Sequence, residues 1–97
     1  MSKMEEKIST ILSKNKIQYS REYSFKDLRG KNKQKLRFDF AVFENNKLKC
    51  LLEYDSSIHF YYSGLGKKSS FIAAKERDRR KNSYCLARDI PLYRIPY

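Results

Sequence analysis

The chain of 97 residues suffices for one domain and not for two, since a single core usually needs roughly 100 residues. It carries 22 Lys and Arg against 11 Asp and Glu, a formal net charge of +11, with 40% hydrophobic and 14% aromatic residues, all of the latter Tyr or Phe. This composition excludes wholesale disorder and predicts a polyanionic partner, nucleic acid ahead of an acidic membrane surface. No stretch approaches the ~18 apolar residues of a membrane span, and MSKMEEKIST lacks the apolar centre of a signal peptide, so a cytoplasmic location is expected. Cys50 and Cys85 stand far apart with no CxxC and a single histidine, which argues against a structural zinc site or a disulfide framework. Both read as small buried hydrophobes.

In chain order, residues 3–15 read as an amphipathic helix with Met4, Ile8, Ile11 and Leu12 on one side. Residues 18–25 alternate Tyr19, Arg21, Tyr23 and Phe25 against polar neighbours and predict a strand with those four on one face. Residues 27–35 form a basic turn. LRFDFAVF (36–43) and LKCLLEYD (48–55) make a hairpin around Glu44-Asn45-Asn46-Lys47. A loop covers 56–69. Ser69 or Ser70 is placed to cap a helix from Phe71 to about Arg88, and Asp89-Ile90-Pro91 breaks it before a last strand at 92–95. The order is αβββαβ in one α/β (α+β) domain, with no repeat and no linker.

The acids are the anomaly. Asp39 lies between Phe38 and Phe40 in a strand, where Asp is disfavoured. Glu53 and Asp55, two residues apart in the partner strand, point to one face. Setting Asp39 opposite Glu53 puts all three on that face, pairs Glu44 with Leu48 and leaves a three-residue loop, an ordinary length. Three clustered carboxylates repel unless a cation sits among them, and hard oxygen ligands suit Mg²⁺ or Mn²⁺. Pairing of these acids with Lys or Arg is the competing structural explanation.

On a wheel of ~100° per residue, Asp78 falls within about 15° of the centre of a stripe defined by Phe71, Ala74 and Cys85, with Lys81 at its edge. Asp78 therefore faces inward, towards the acids or towards a structural partner, Lys81 or an arginine. Glu5 lies about 75° from the centre of the first helix's stripe and can reach the sheet, or acts only as an acid favoured at a helix N-terminus. Glu6 faces solvent. His59, four residues after Asp55, stands where it can accept or donate a proton near neutral pH, if it is not simply a polar loop residue.

FDF with Asp39, LLEYDSSIHF, KERDRRKNSYC and the closing IPLYRIPY, in this element order, resemble the restriction-endonuclease-like PD-(D/E)xK superfamily. Within it they look most like the branch of the very-short-patch-repair mismatch nickase and the phage homing endonucleases with an EDxHD motif. The resemblance spans Glu5 to Tyr97 and implies a restriction-endonuclease-like core, a mixed sheet flanked by helices. It implies that Asp39 binds metal, that Glu5 is the acid of the first helix, and that Glu53 fills the acidic place of (D/E)xK with the Tyr54 carbonyl as a further ligand. Asp55 stands where the superfamily usually has Lys, and His59 and Asp78 serve the site instead. Ser56 and Ile58 depart from the Gly and Gln common in that branch. Lys81 is a weaker candidate to bring positive charge to the scissile phosphate.

The implied activity is Mg²⁺-dependent (or Mn²⁺-dependent) hydrolysis of DNA phosphodiesters, in a bacterial or phage-infected cell, with Asp39, Glu53 and Asp55 holding the metal and His59, helped by Asp78, moving the proton. Phe60, Tyr61 and Tyr62 followed by Lys67 and Lys68 suit stacking or wedge insertion into a duplex, or a satellite cluster over the sheet end. Lys75, Arg77, Arg79 and Arg80 are phosphate-contact candidates, or a solvated face. The alternatives are a non-catalytic nucleic-acid-binding module on the same fold, against which the clustered acids count, and a dimerisation or inhibitory protein that retains the nuclease core. Target recognition is expected from this core, from a homodimer, or from a region beyond these residues.

Overall fold

The apolar stripe of the N-terminal segment and the acids Glu5 and Glu6 in its first turn give helix α1, Lys3–Lys14. It is followed by strands β1 (Gln18–Arg29), β2 (Lys35–Glu44) and β3 (Lys47–Tyr54), helix α2 (Lys68–Ala87) and strand β4 (Leu92–Ile95). The computed structural model describes residues 3–54 and 68–95, and in α2 the side chains from residue 72 onward. Asp55, His59, Phe60, Tyr61, Tyr62 and Lys67 and the side chains of Lys68, Ser69, Ser70 and Phe71 lie outside the described residues. The backbone of α2 is already helical from Lys68, so Ser69 and Ser70, expected to cap a helix starting at Phe71, lie within its first turn. The element order is the expected one. The sheet is mixed, in the order β1-β2-β3-β4, with β4 parallel to β3 and the other pairs antiparallel. Among the described residues no helix is long and apolar enough to cross a membrane.

Two clusters form the core, one on each side of the sheet. Ile8 and Leu12 of α1 pack on Phe40 and Val42, with Met4, Tyr19, Cys50, Leu52 and Ile95 around them. Ile11, assigned to the same stripe from the sequence, is exposed instead. On the other side Cys85 of α2 packs with Leu28, Leu36, Phe38, Ala41 and Leu51. Cys50 and Cys85 are both free thiols, Cys85 buried and Cys50 half-buried.

Residues of one parity in a strand should share a face. Here Leu36 and Phe38 belong to the α2 side, Phe40 and Val42 to the α1 side, and Ala41 joins Leu36 and Phe38. β2 therefore changes face at Asp39. β1 does the same at Glu22: Tyr19 packs on the α1 side, Tyr23 and Phe25 on the other. Glu22 sits at φ 52°, a left-handed conformation uncommon for a residue other than Gly, Asn or Asp. Arg21 still pairs with Phe40 and Tyr23 with Phe38. Both strands switch together without an inserted residue, so the single face expected for Tyr19, Arg21, Tyr23 and Phe25 is split in two. The switch leaves Asp39 between the two core layers.

The hairpin keeps the expected register in its interior, Phe40 opposite Leu52 and Val42 opposite Cys50. Near the turn the register shifts by one, leaving Lys49 unpaired, and Glu44 faces Lys47. The loop is thus two residues, Asn45 and Asn46 at φ 53° and 63°, not three. Two successive left-handed residues give a turn whose twist matches that of the strands, and Asn tolerates that conformation.

Both helices end in left-handed residues. Lys16 (φ 55°) and Asp89 (φ 54°) let Ile17 and Ile90 donate back to the Leu12 and Cys85 carbonyls at 2.9 Å. A lysine in this conformation costs about 1 kcal/mol that glycine avoids. Lys16→Gly is therefore expected to raise stability by about 0.5–1 kcal/mol in urea unfolding, with an unchanged m-value. At the far end of α2, Tyr84 donates to Asp27 at 2.6 Å while Arg88 pairs with Asp27 and lies 3.7 Å over the Tyr84 ring. Burial, then the hydrogen bond to Asp27, push the Tyr84 hydroxyl up to about 12. This clasp fixes α2 against the end of β1.

Candidate functional site

The face switch at Asp39 and the hairpin register bring Asp39 and Glu53 together. The Asp39 amide donates to Glu53 Oε1 at 3.0 Å, and the Tyr54 amide donates to Asp39 Oδ2 at 2.7 Å. Each carboxylate is held by the other strand's backbone, so neither can move without breaking the end of the ladder. Charge-assisted bonds of this kind are short and directional. Asp39 Oδ1 accepts no hydrogen bond among the described residues.

Glu53 is 7% exposed and is the buried charged residue among those described. Its second oxygen accepts from Lys81 Nζ at 3.2 Å, with side-chain exposures of 12% for Lys81 and 9% for Glu53. Burial pushes the Glu53 carboxyl above its ordinary value; the Lys81 ammonium opposes that shift and the neighbouring Asp39 adds to it. Lys81 Nζ also lies 5.1 Å over the Phe38 ring, on the same side of the sheet. The sequence placed Lys81 at the edge of the α2 stripe. In the structure it lies inside, because Ala74, Asp78, Lys81 and Cys85, spaced four, three and four residues apart, all turn towards the sheet.

Asp78 faces inward as expected, and its partner is Arg94, at 3.4 Å. Arg94 also donates to Asn82 Oδ1 at 2.9 Å and pairs with Glu53 across the parallel β3–β4 ladder. The site therefore carries two carboxylate–cation pairs in adjoining positions, Glu53 with Lys81 and Asp78 with Arg94. Arg94 escaped the sequence reading. The signal for it is a charged residue between Tyr93 and Ile95 in a strand that, being parallel, is expected to be covered.

Glu5 is half-buried and bonds Arg21 at 3.5 Å, with Arg21 packed over Phe40 on the α1 side. Of the sequence candidates, Asp39, Glu53, Tyr54 and Lys81 meet directly, Asp78 stands beside them, and Glu5 reaches β1 through Arg21. Among the described residues no group of three His, Cys, Asp or Glu side chains is placed to hold a metal ion. Asp55 and His59, the remaining members of the predicted set, follow directly on β3 but lie outside those residues.

The basic candidates on α2 separate. Arg79 and Arg80 both fold onto Glu76, at 2.7 and 3.0 Å, and these hydrogen bonds hold its carboxyl down at about 2. Arg80 also donates to the Arg29 carbonyl. Arg77 is exposed and forms no hydrogen bond or ion pair among the described residues. It lines a cleft of about 420 Å³ with Lys35, Arg37, Asp39 and Lys81.

No family model, curated protein or solved structure matches the chain. The residues of the site carry the functional argument by themselves.

Proposed function

We propose that the chain is a metal-dependent DNA endonuclease of the restriction-endonuclease-like type, cleaving phosphodiester bonds at the Asp39–Glu53 pair. The observation that carries this reading is the pair itself. Two acids from neighbouring strands are locked against each other's backbone; Glu53 is buried, and Asp39 lines a cleft whose other charged residues are mostly cationic. A merely structural Glu53–Lys81 pair gains little from such burial, because the desolvation of both ions offsets their attraction. The order of elements and the mixed sheet are those the resemblance implies.

The donor set suits a hard divalent cation such as Mg²⁺ or Mn²⁺. Asp39 offers an oxygen without a hydrogen bond among the described residues, its backbone amide bonds Glu53, and Tyr54 is the last residue of β3. Asp39, Glu53 and the Tyr54 carbonyl, with Asp55 next in the chain, would hold it; when bound, such an ion neutralises the phosphate and lowers the pKa of a coordinated water. The chain's own groups do the rest. Lys81 opposes the effect of burial on Glu53 and keeps a positive charge beside the acids, a charge that Asp55, standing in the sequence where the superfamily usually has Lys, does not supply. Arg94 fixes Asp78. His59, the only histidine, is the proton acceptor of this reading.

The test is incubation of supercoiled plasmid with the protein in Mg²⁺, in Mn²⁺ and in EDTA. The expected result is nicked or linear product with either metal and none in EDTA. Intact plasmid under all three conditions would favour the non-catalytic binding module.

A further inference from the structure

Two clefts adjoin at Gln34 and Arg77, and one of them is lined by Asp39. The first, about 420 Å³, is lined by Lys35, Arg37, Arg77 and Lys81 along with Asp39 and Glu22. The second, about 460 Å³, joins the turn between β1 and β2 to the early turns of α2 and is lined by Lys31, Glu76, Arg77 and Arg80 among others. Gln34 and Arg77 belong to both, so the two make one continuous groove.

The acids along this groove already have partners. Glu76 is occupied by Arg79 and Arg80, Glu22 lies 4.0 Å from Arg37, and Asp39 holds the Tyr54 amide. The side chains of Lys31, Lys35 and Arg77, all exposed, form no hydrogen bond or ion pair among the described residues. Three unbalanced cations, from a turn, a strand and a helix, thus line one concave surface that reaches Asp39. A concave surface with a net positive charge concentrates its field on an approaching anion. The exposed outer face of α2, the sequence's choice for phosphate contacts, loses Arg79 and Arg80 to Glu76.

We infer that this groove is the path of the DNA backbone to the acid pair, with Lys31, Lys35 and Arg77 as its phosphate contacts. The inference rests on the nuclease reading and adds to it where the strand runs. The occupant is a nucleic-acid backbone, because the groove is net cationic and reaches Asp39 of the proposed hydrolytic pair.

The experiment compares two triple variants with the wild type by fluorescence anisotropy of a labelled DNA duplex in EDTA, across a salt series. One carries Lys31→Glu, Lys35→Glu and Arg77→Glu; the other carries Lys3→Glu, Lys7→Glu and Lys14→Glu on α1. All six positions are exposed, and the change in net charge is the same. The groove triple is expected to bind about 100-fold more weakly, with the slope of log K against log salt reduced by about 2–3, while the α1 triple changes affinity only a few-fold. Arg77→Gln alone, the variant to read if the groove triple does not fold by circular dichroism, is expected to reduce the slope by about 1. Equal losses in the two triples, or an unchanged slope in Arg77→Gln, overturn the groove and leave DNA binding standing. A wild type without salt-sensitive DNA affinity overturns both the groove and the nuclease reading.

Discussion

Asp39→Asn is expected to slow Mg²⁺-dependent plasmid cleavage by about 1,000-fold, because removing a metal-holding carboxylate forfeits several kcal/mol of transition-state stabilisation and each 1.36 kcal/mol is tenfold in rate. The fold should survive. The Asn carbonyl can still accept from the Tyr54 amide, and the backbone N–H that donates to Glu53 is unchanged. The two measurements that check this are the initial rate of loss of supercoiled plasmid and the urea midpoint. DNA affinity in EDTA should be unchanged or slightly higher, since a negative charge leaves the end of a basic groove. A rate within tenfold of the wild type would remove Asp39 from the chemistry.

The second large effect is on stability. Lys81→Ala leaves Glu53 buried without its cation, and breaking a buried pair on one side costs about 3–5 kcal/mol. The cost depends on pH with a definite sign. Burial already raises the folded-state pKa of Glu53 above its unfolded value, and loss of Lys81 raises it further. The fold therefore favours the neutral carboxyl. That preference is fully satisfied below the unfolded pKa and is lost as pH rises through the folded one. The deficit of Lys81→Ala is expected to be small near pH 4 and to reach its full size at neutral pH, read as urea-unfolding free energies across that range. A deficit independent of pH would mean that Lys81 acts by packing on Phe38 instead. Combining it with Glu53→Gln and using Lys81→Met should recover most of the lost stability, because Gln keeps an acceptor for the Asp39 amide and no unpaired charge remains. The double variant should be folded and inactive. That outcome separates a pair kept for chemistry from a pair kept for the fold.

The sequence made the element order legible because periods of 2 and 3.6 and the Asn-Asn and Asp-Ile-Pro breaks are local signals. The meeting of Asp39 with Glu53 was legible too, since the alternation of LRFDFAVF and LLEYD admits few registers. The two-residue loop was missed because one unpaired residue, Lys49, shifts the register only next to the turn. The change of face at Glu22 and Asp39 has no sequence signature: no Gly or Asn marks the left-handed position, and tertiary packing on both sides imposes it. Lys81 appeared marginal because its charge and its place at the stripe's edge hid a partner, Glu53, that lies on a strand distant in sequence. The capture of Arg79 and Arg80 by Glu76 could have been read from their i+3 and i+4 spacing, and the Asp78–Arg94 pair could not, because it joins elements distant in sequence.

The claim on which the rest depends is that Asp39 and Glu53 together hold a divalent metal. Calorimetric titration of Mn²⁺ into the wild type and into Asp39→Asn tests it without relying on a cleavage assay. The account predicts saturable binding by the wild type that Asp39→Asn abolishes while remaining folded; equal binding by the two proteins, or none by the wild type, contradicts it.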